Sequence, residues 1–142
     1  MRTILHEVAA FDSLDDAGIR RVEEAGTEVS YPVGAAILRE GETGDAFFVV
    51  VSGAVDVIAA GFGEEDDGKK VARLGPGSLF GEAAAMTGEP RSATVVVAEP
   101  LVALRFARAD VLTALAGQPT VIAELRRLAV SRAEDLMEQT RL

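Results

Sequence analysis

The spacing of apolar residues changes period twice along this chain. Leu5, Val8 and Phe11 fall at helical spacing, and Leu14, Ile19 and Val22 mark a second helical stretch. Ser13 with Asp16 reads as the N-cap and first-turn acid of that second helix, and Gly26 as its end. From Thr27 the pattern switches to short β-prone runs separated by turn residues: 27–31, 36–38, 47–51, 54–59, 69–74, 78–79, 94–98 and 101–106. In the last run Val102, Leu104 and Phe106 alternate with Ala103 and Arg105, as in a strand with one buried face. Helical spacing returns over 109–116, stopped near Gly117, and again from Pro119, a residue suited to a first turn, toward Thr140. Val121, Ile122, Leu125, Leu128, Ala129 and Leu136 form an apolar stripe on that last helix, interrupted by Arg132. Many short strands with regular turns predict a sandwich or barrel, here with helices at both ends.

Composition narrows the chemistry. A chain of 142 residues that is 49% hydrophobic is expected to form one domain with a real core. It has no cysteine, which removes disulfides, thiolate nucleophiles and cysteine-held clusters, and its lone histidine, His6, cannot build an imidazole metal site by itself. Charge interrupts the N-terminus too early for a secretory signal, and no apolar run approaches the ~20 residues of a spanning helix, so a cytoplasmic chain or module is expected. The net charge of −9 argues against general affinity for nucleic acid or anionic membranes, while leaving room for a local pocket that takes one phosphate. Four consecutive acids, Glu64 to Asp67, lack the alternating ligand spacing of a calcium loop and read as a solvated hairpin tip.

The densest chemistry lies in the string from Phe80 to Thr94, FGEAAAMTGEPRSAT. Gly81 opens a run of good helix formers, and Gly88 followed by Pro90 stops it, so the helix has about two turns or fewer. A helix that short depends on its surroundings. Its first N–H groups, near Gly81, Glu82 and Ala83, have no intrahelical partner and favour an anion. Arg91 offers a planar fork of donors matched to two phosphate oxygens, and Ser92 adds a hydroxyl and an N–H. Glu82 needs a donor, and a ribose 2′-hydroxyl would serve. The plain alternative is an exposed Glu82–Arg91 ion pair across a turn, contributing about 0–1 kcal/mol.

That string resembles the phosphate-binding cassette of cyclic nucleotide-binding domains, the family that includes the catabolite activator protein and the protein kinase A regulatory subunits. Matching pieces occur in order elsewhere: Tyr31-Pro32-Val33-Gly34, the stretch from Glu40 to Val50, Ser52-Gly53-Ala54-Val55-Asp56-Val57, and Leu74-Gly75-Pro76-Gly77-Ser78-Leu79-Phe80. The resemblance covers nearly the whole chain. It implies an eight-stranded β-roll, jelly-roll-like, over 27–107, with the cassette at 80–94, N-terminal helices over 1–26 and C-terminal lid helices over 108–142. Gly34, Gly41, Gly44, Gly53 and Gly75 are expected to be architectural, with only Gly81 near ligand.

The resemblance implies a binding switch rather than a reaction, with no catalytic residue, cofactor or metal. Phosphate is expected on Gly81, Glu82, Ala83, Arg91 and Ser92, ribose on Glu82, and the base or lid contact at Ala93, Leu128, Arg132 and Leu136. Ser92 leans the ligand toward cyclic AMP, with cyclic GMP the second choice. The final helix is expected to act as a lid, a homodimer seam or both, and to signal to an effector protein or domain. In family members that regulate transcription a helix-turn-helix follows the sensor; here the sequence ends at Leu142, so no nucleic-acid partner is expected. The competing expectation is a degenerate β-roll that binds no nucleotide and serves as an interaction or oligomerisation module. A metal-dependent cupin on a similar roll would need histidines that this chain lacks.

Overall fold

Two antiparallel strands of unusual length organise the molecule. The computed structural model describes residues 4–8, 11–59, 69–91 and 93–127. A short 3-10 turn (Ile4–Glu7) and helix α1 (Asp16–Ala25) precede strands β1 (Gly26–Tyr31), β2 (Ala36–Leu38), β3 (Ala46–Ala59), β4 (Lys69–Leu74) and β5 (Leu79–Phe80). Helix α2 (Glu82–Thr87), strand β6 (Thr94–Ala107) and helix α3 (Arg108–Ala114) follow, and the chain is helical again over 119–127. The sheet has six strands in the order β1-β6-β3-β4, with β2 on β6 and β5 on β3, and every pairing is antiparallel. The fold is therefore mainly β, an antiparallel sheet with flanking helices.

The expected eight strands become six among the described residues because two pairs of runs merge. Ser52-Gly53 and Glu99-Pro100 read as breaks, yet β3 and β6 continue through them as a bulged ladder with register shifts between Val50 and Val55. Gly53 makes this possible: its φ is +87°, and a Cβ there would lie 2.1 Å from the Pro100 carbonyl oxygen. The backbones thus pass closer than any side chain allows. Farther along β3 the Asp56 carboxylate accepts from Arg73 Nε at 2.8 Å across the β3–β4 pair, where the two residues are register partners.

Both faces of β3 are buried, which explains its unbroken apolar run. Phe47 and Val49 face a helical core with Leu5, Phe11, Ile19, Val22, Phe106, Val111, Leu115, Val121 and Leu125. Ala46, Phe48 and Val50 face the interior of the roll with Val55, Phe80, Ala93, Val95, Val97, Leu101 and Ala103. Stacked rings mark each layer, Phe47 on Phe106 at 5.3 Å and Phe48 on Phe80 at 4.9 Å between centroids. The alternation read in 101–106 captures only half of this, since Ala103 is as buried as Phe106 and only Arg105 of that run is exposed.

Two local expectations are also revised. Asp15, not Ser13, caps α1, its carboxylate accepting from the Gly18 N–H at 2.8 Å, while Asp16 sits in the first turn as expected. The Leu5 region forms a 3-10 turn rather than an α-helix as far as it is described. Val121, Ile122 and Leu125 of the C-terminal stripe pack into the helical core, whereas Leu128, Ala129 and Leu136 lie outside the described residues, as does the acidic 61–68 segment. Among the described residues no helix is long and apolar enough to cross a membrane.

Gly53→Ala should lower the unfolding free energy by about 2–4 kcal/mol, because it adds both a disfavoured φ and a clash with rigid backbone. Gly75→Ala, where φ is not left-handed and nothing lies within 4 Å of the added Cβ, should stay within about 1 kcal/mol of the parent. Urea denaturation of the two variants distinguishes them, and equal losses would refute the bulge argument.

Candidate functional site

A left-handed glycine stands at each end of α2. Gly81 precedes it with φ +82°, and Gly88 closes it with φ +77°, its N–H donating to the Ala84 carbonyl at 2.9 Å. The six residues between, Glu82–Thr87, form the short helix that the Gly81 and Gly88-Pro90 signals predict. Ala85 and Met86 anchor it in the helical core, while Phe80 before it and Ala93 after it enter the roll interior. The helix therefore straddles both apolar layers.

Glu82, the first residue of this helix, and Arg91, which follows it in the chain, are both buried. They are 1% and 7% exposed, and among the described residues they are the two buried charged side chains. That rules out the exposed ion pair as their arrangement. Arg91 Nη1 donates to the Gly81 carbonyl at 2.8 Å, and Nη2 donates to the Ala46 carbonyl at 2.9 Å. Two carbonyls thus take one N–H from each tip of the fork, out of the five N–H groups a guanidinium carries. Burial pushes the Arg91 pKa below its ordinary value, and the negative charges of Asp45, Glu82 and Glu42 act the other way.

The loop between β2 and β3 wraps over this arginine. The Arg91 N–H donates to the Glu42 carbonyl at 2.7 Å, and the Gly41 N–H donates to the Arg91 carbonyl at 2.8 Å. One step further, the Glu40 N–H donates to Thr94 Oγ1 at 3.0 Å. The stretch that resembles a family turn, Glu40 to Asp45, is therefore the wall of the site and not a remote connection. The sequence reading gave the glycines of this loop an architectural role and did not place the loop against Arg91, a contact made across more than forty residues.

Of the expected site residues, the structure brings Gly81, Glu82 and Arg91 together, with the Ala83 backbone in the first turn of α2 and Ala93 buried in the roll interior. Ser92, Leu128, Arg132 and Leu136 lie outside the described residues. Chemically, the described part combines a fixed guanidinium, a buried carboxylate and the helix-opening backbone, a set suited to an anion that also carries a hydroxyl. No group of three or more histidine, aspartate or glutamate side chains able to hold a metal ion occurs among the described residues.

Comparison with known proteins places the chain among relatives of one kind. Residues 28–118 match the family model of the cyclic nucleotide-binding domain. The chain is 42% identical over 92 residues to a cAMP-dependent protein kinase regulatory subunit of Yarrowia lipolytica, an alignment covering 65% of this chain and 23% of that protein. It is 36% identical over 125 residues to a cyclic nucleotide-gated potassium channel of Mesorhizobium japonicum, covering 88% of this chain and 33% of the channel. The chain thus spans a third or less of the length of these curated relatives. Among solved structures it superposes on the catabolite activator protein of Thermus thermophilus with a TM-score of 0.78 at 28% identity, covering 92% of this chain and 60% of that one. It superposes on the regulatory domain of Toxoplasma gondii protein kinase A, crystallised with cAMP, with a TM-score of 0.77 at 26% identity, covering 93% and 48%.

Replacing Arg91 by methionine keeps most of the apolar stem but strips the donors from the buried Ala46 carbonyl and removes a cation near Glu82. The expected loss of stability is about 2–4 kcal/mol. Arg73→Met, which breaks an exposed cross-strand pair, should leave the urea midpoint close to that of the parent. Matching midpoints for the two variants would contradict the buried role of Arg91.

Proposed function

The chain belongs to the cyclic nucleotide-binding domain family, and we propose that it is a cyclic AMP sensor that signals by moving its C-terminal helices. The observation that carries this reading is the burial of Glu82 and of Arg91, whose guanidinium holds the Gly81 carbonyl at the start of α2. In the proposal the phosphate is held by the Arg91 guanidinium, by Ser92 and by the backbone N–H groups of Gly81, Glu82 and Ala83, while the Glu82 carboxylate accepts from the ribose 2′-hydroxyl. The negative ligand meets a guanidinium whose Nη1 and Nη2 are already oriented by the Gly81 and Ala46 carbonyls, so little side-chain freedom is lost on binding. Ala93, Leu128, Arg132 and Leu136 are the proposed base and lid contacts.

The route from site to output runs through α2. Ala85 and Met86 share a core with Val111, Leu115, Val121 and Leu125, so a displacement of α2 toward bound phosphate is felt by the helices that follow the sheet. Ligand then favours whichever helix arrangement it binds more tightly. A micromolar ligand has about 8 kcal/mol of binding free energy, and a few kcal/mol of difference between the two states is enough to switch them. The proposed role is binding and regulation rather than catalysis, with an effector protein or domain as receiver and a homodimer through the C-terminal helix as one way of transmitting the change.

A thermal shift with purified protein tests the reading. Cyclic AMP at 100 times its dissociation constant should stabilise the fold by about 2.7 kcal/mol. Arg91→Ala should abolish the shift, and Glu82→Ala should weaken binding while erasing the preference for cyclic AMP over its 2′-deoxy analogue. Cyclic GMP should bind more weakly than cyclic AMP. No shift with either cyclic nucleotide at millimolar concentration would favour an interaction module built on a retired pocket.

A further inference from the structure

Gly44 lies against the guanidinium of Arg91 for a reason unconnected with backbone freedom. Its φ is not in the left-handed region, so any residue could adopt its conformation. What the position lacks is space: a Cβ there would lie 2.9 Å from Arg91 Nη2, 3.6 Å from Cζ and 3.7 Å from Nε. All three atoms belong to the guanidinium, and the nearest, Nη2, is the atom that donates to the Ala46 carbonyl. The opposite tip is enclosed in a similar way, since a Cβ on Gly81 would lie 3.1 Å from Nη1.

The end of a long side chain could normally swing away from an added methyl group at little cost. Here it cannot do so freely, because Arg91 as a residue is 7% exposed and its guanidinium is tied by both tips to backbone carbonyls. Other glycines of the chain separate the two effects. Gly41 has φ +87° and nothing within 4 Å of a Cβ, so it serves conformation alone, and Gly75 has neither requirement.

We infer that Gly44 is a positioning residue for the phosphate-binding arginine: the missing side chain sets the plane in which Arg91 presents its donors. The inference rests on the cyclic nucleotide reading for its functional consequence, but not for its geometry. An alanine at 44 leaves the loop backbone intact and pushes Nη2 off the Ala46 carbonyl, turning the fork away from the orientation in which it meets a phosphate.

The test is Gly44→Ala, with Gly75→Ala as the control, read in two ways. The side-chain Nε–H signal of Arg91 in a proton–nitrogen NMR spectrum, assigned by its loss in Arg91→Lys, reports the guanidinium without ligand. Calorimetry with cyclic AMP reports function. Gly44→Ala should shift or broaden the Arg91 signal and weaken cyclic AMP binding about tenfold, equivalent to about 1.4 kcal/mol, while Gly75→Ala changes neither. An unmoved Arg91 signal, or a moved signal with unchanged affinity in a protein that binds cyclic AMP, would overturn the inference. A moved signal in a protein whose parent binds no cyclic nucleotide would uphold the positioning role and sink the sensor reading instead. Should Gly44→Ala not fold, the double variant Gly44→Ala/Arg91→Lys, which has no Nη2 atom to displace, should fold. Failure of that variant as well would mean that the backbone needs the glycine, and the inference falls.

Discussion

Burying one guanidinium sets the terms for the rest of this molecule. A charge taken out of water is tolerated only where its donors meet acceptors and opposite charge lies near. For Arg91 the acceptors are main-chain carbonyls from two different places, Gly81 at the start of α2 and Ala46 at the start of β3. Both must be delivered to one point, which fixes where the β2–β3 loop ends and where β5 hands over to the helix. The pairing of Gly41 and Glu42 with the backbone of Arg91 itself closes the arrangement from the third side. Gly44 and Gly81 meet the same constraint, since a Cβ on either would lie within 3.1 Å of a guanidinium nitrogen.

The long β3–β6 ladder supplies the rigidity this needs. Because the two strands run together from Ala46↔Ala107 to Ile58↔Thr94, the carbonyl that holds Arg91 and the strand that follows Arg91 belong to one continuous hydrogen-bonded unit. The ladder also separates two apolar layers that would otherwise be one, the roll interior and the helical core. The segment from β5 through α2 to β6 also contributes to both, with Leu79, Ala85 and Met86 in the helical core and Phe80 and Ala93 in the roll interior.

How legible this was in the sequence depended on the range of the interaction. Gly88 before Pro90 announced the stop of α2, and the structure places a left-handed Gly88 there, because turn chemistry is written in adjacent residues. The mainly β architecture with flanking helices was legible for a similar reason, as the period of apolar positions switches near Thr27 and back after Phe106. Strand number was not. Pro100 and Ser52-Gly53 look like breaks in one dimension, and only the register between β3 and β6 reveals that each accommodates the other. The capping of α1 slipped from Ser13 to Asp15 because both are good caps and the deciding contact, to Gly18, depends on where the preceding turn delivers the chain. Gly44 was the least legible, since nothing local distinguishes a glycine that bends the chain from one that makes room for a residue 47 positions away.

The energetics of the pair point in one direction. Replacing buried charged residues by well-packed apolar ones is often neutral or stabilising, so stability alone gives little reason for Glu82 and Arg91 to lie inside. The neighbouring core could have supplied the alternative, because Phe80, Ala46 and Leu38 already line the same region with apolar surface. Glu82 opens α2 and the Arg91 guanidinium holds the Gly81 carbonyl just before it, so both buried charges gather at the start of a helix too short to persist alone. A site selected for stability alone would have filled this region with apolar side chains, and the burial of Glu82 and Arg91 is what the proposed ligand-binding role accounts for.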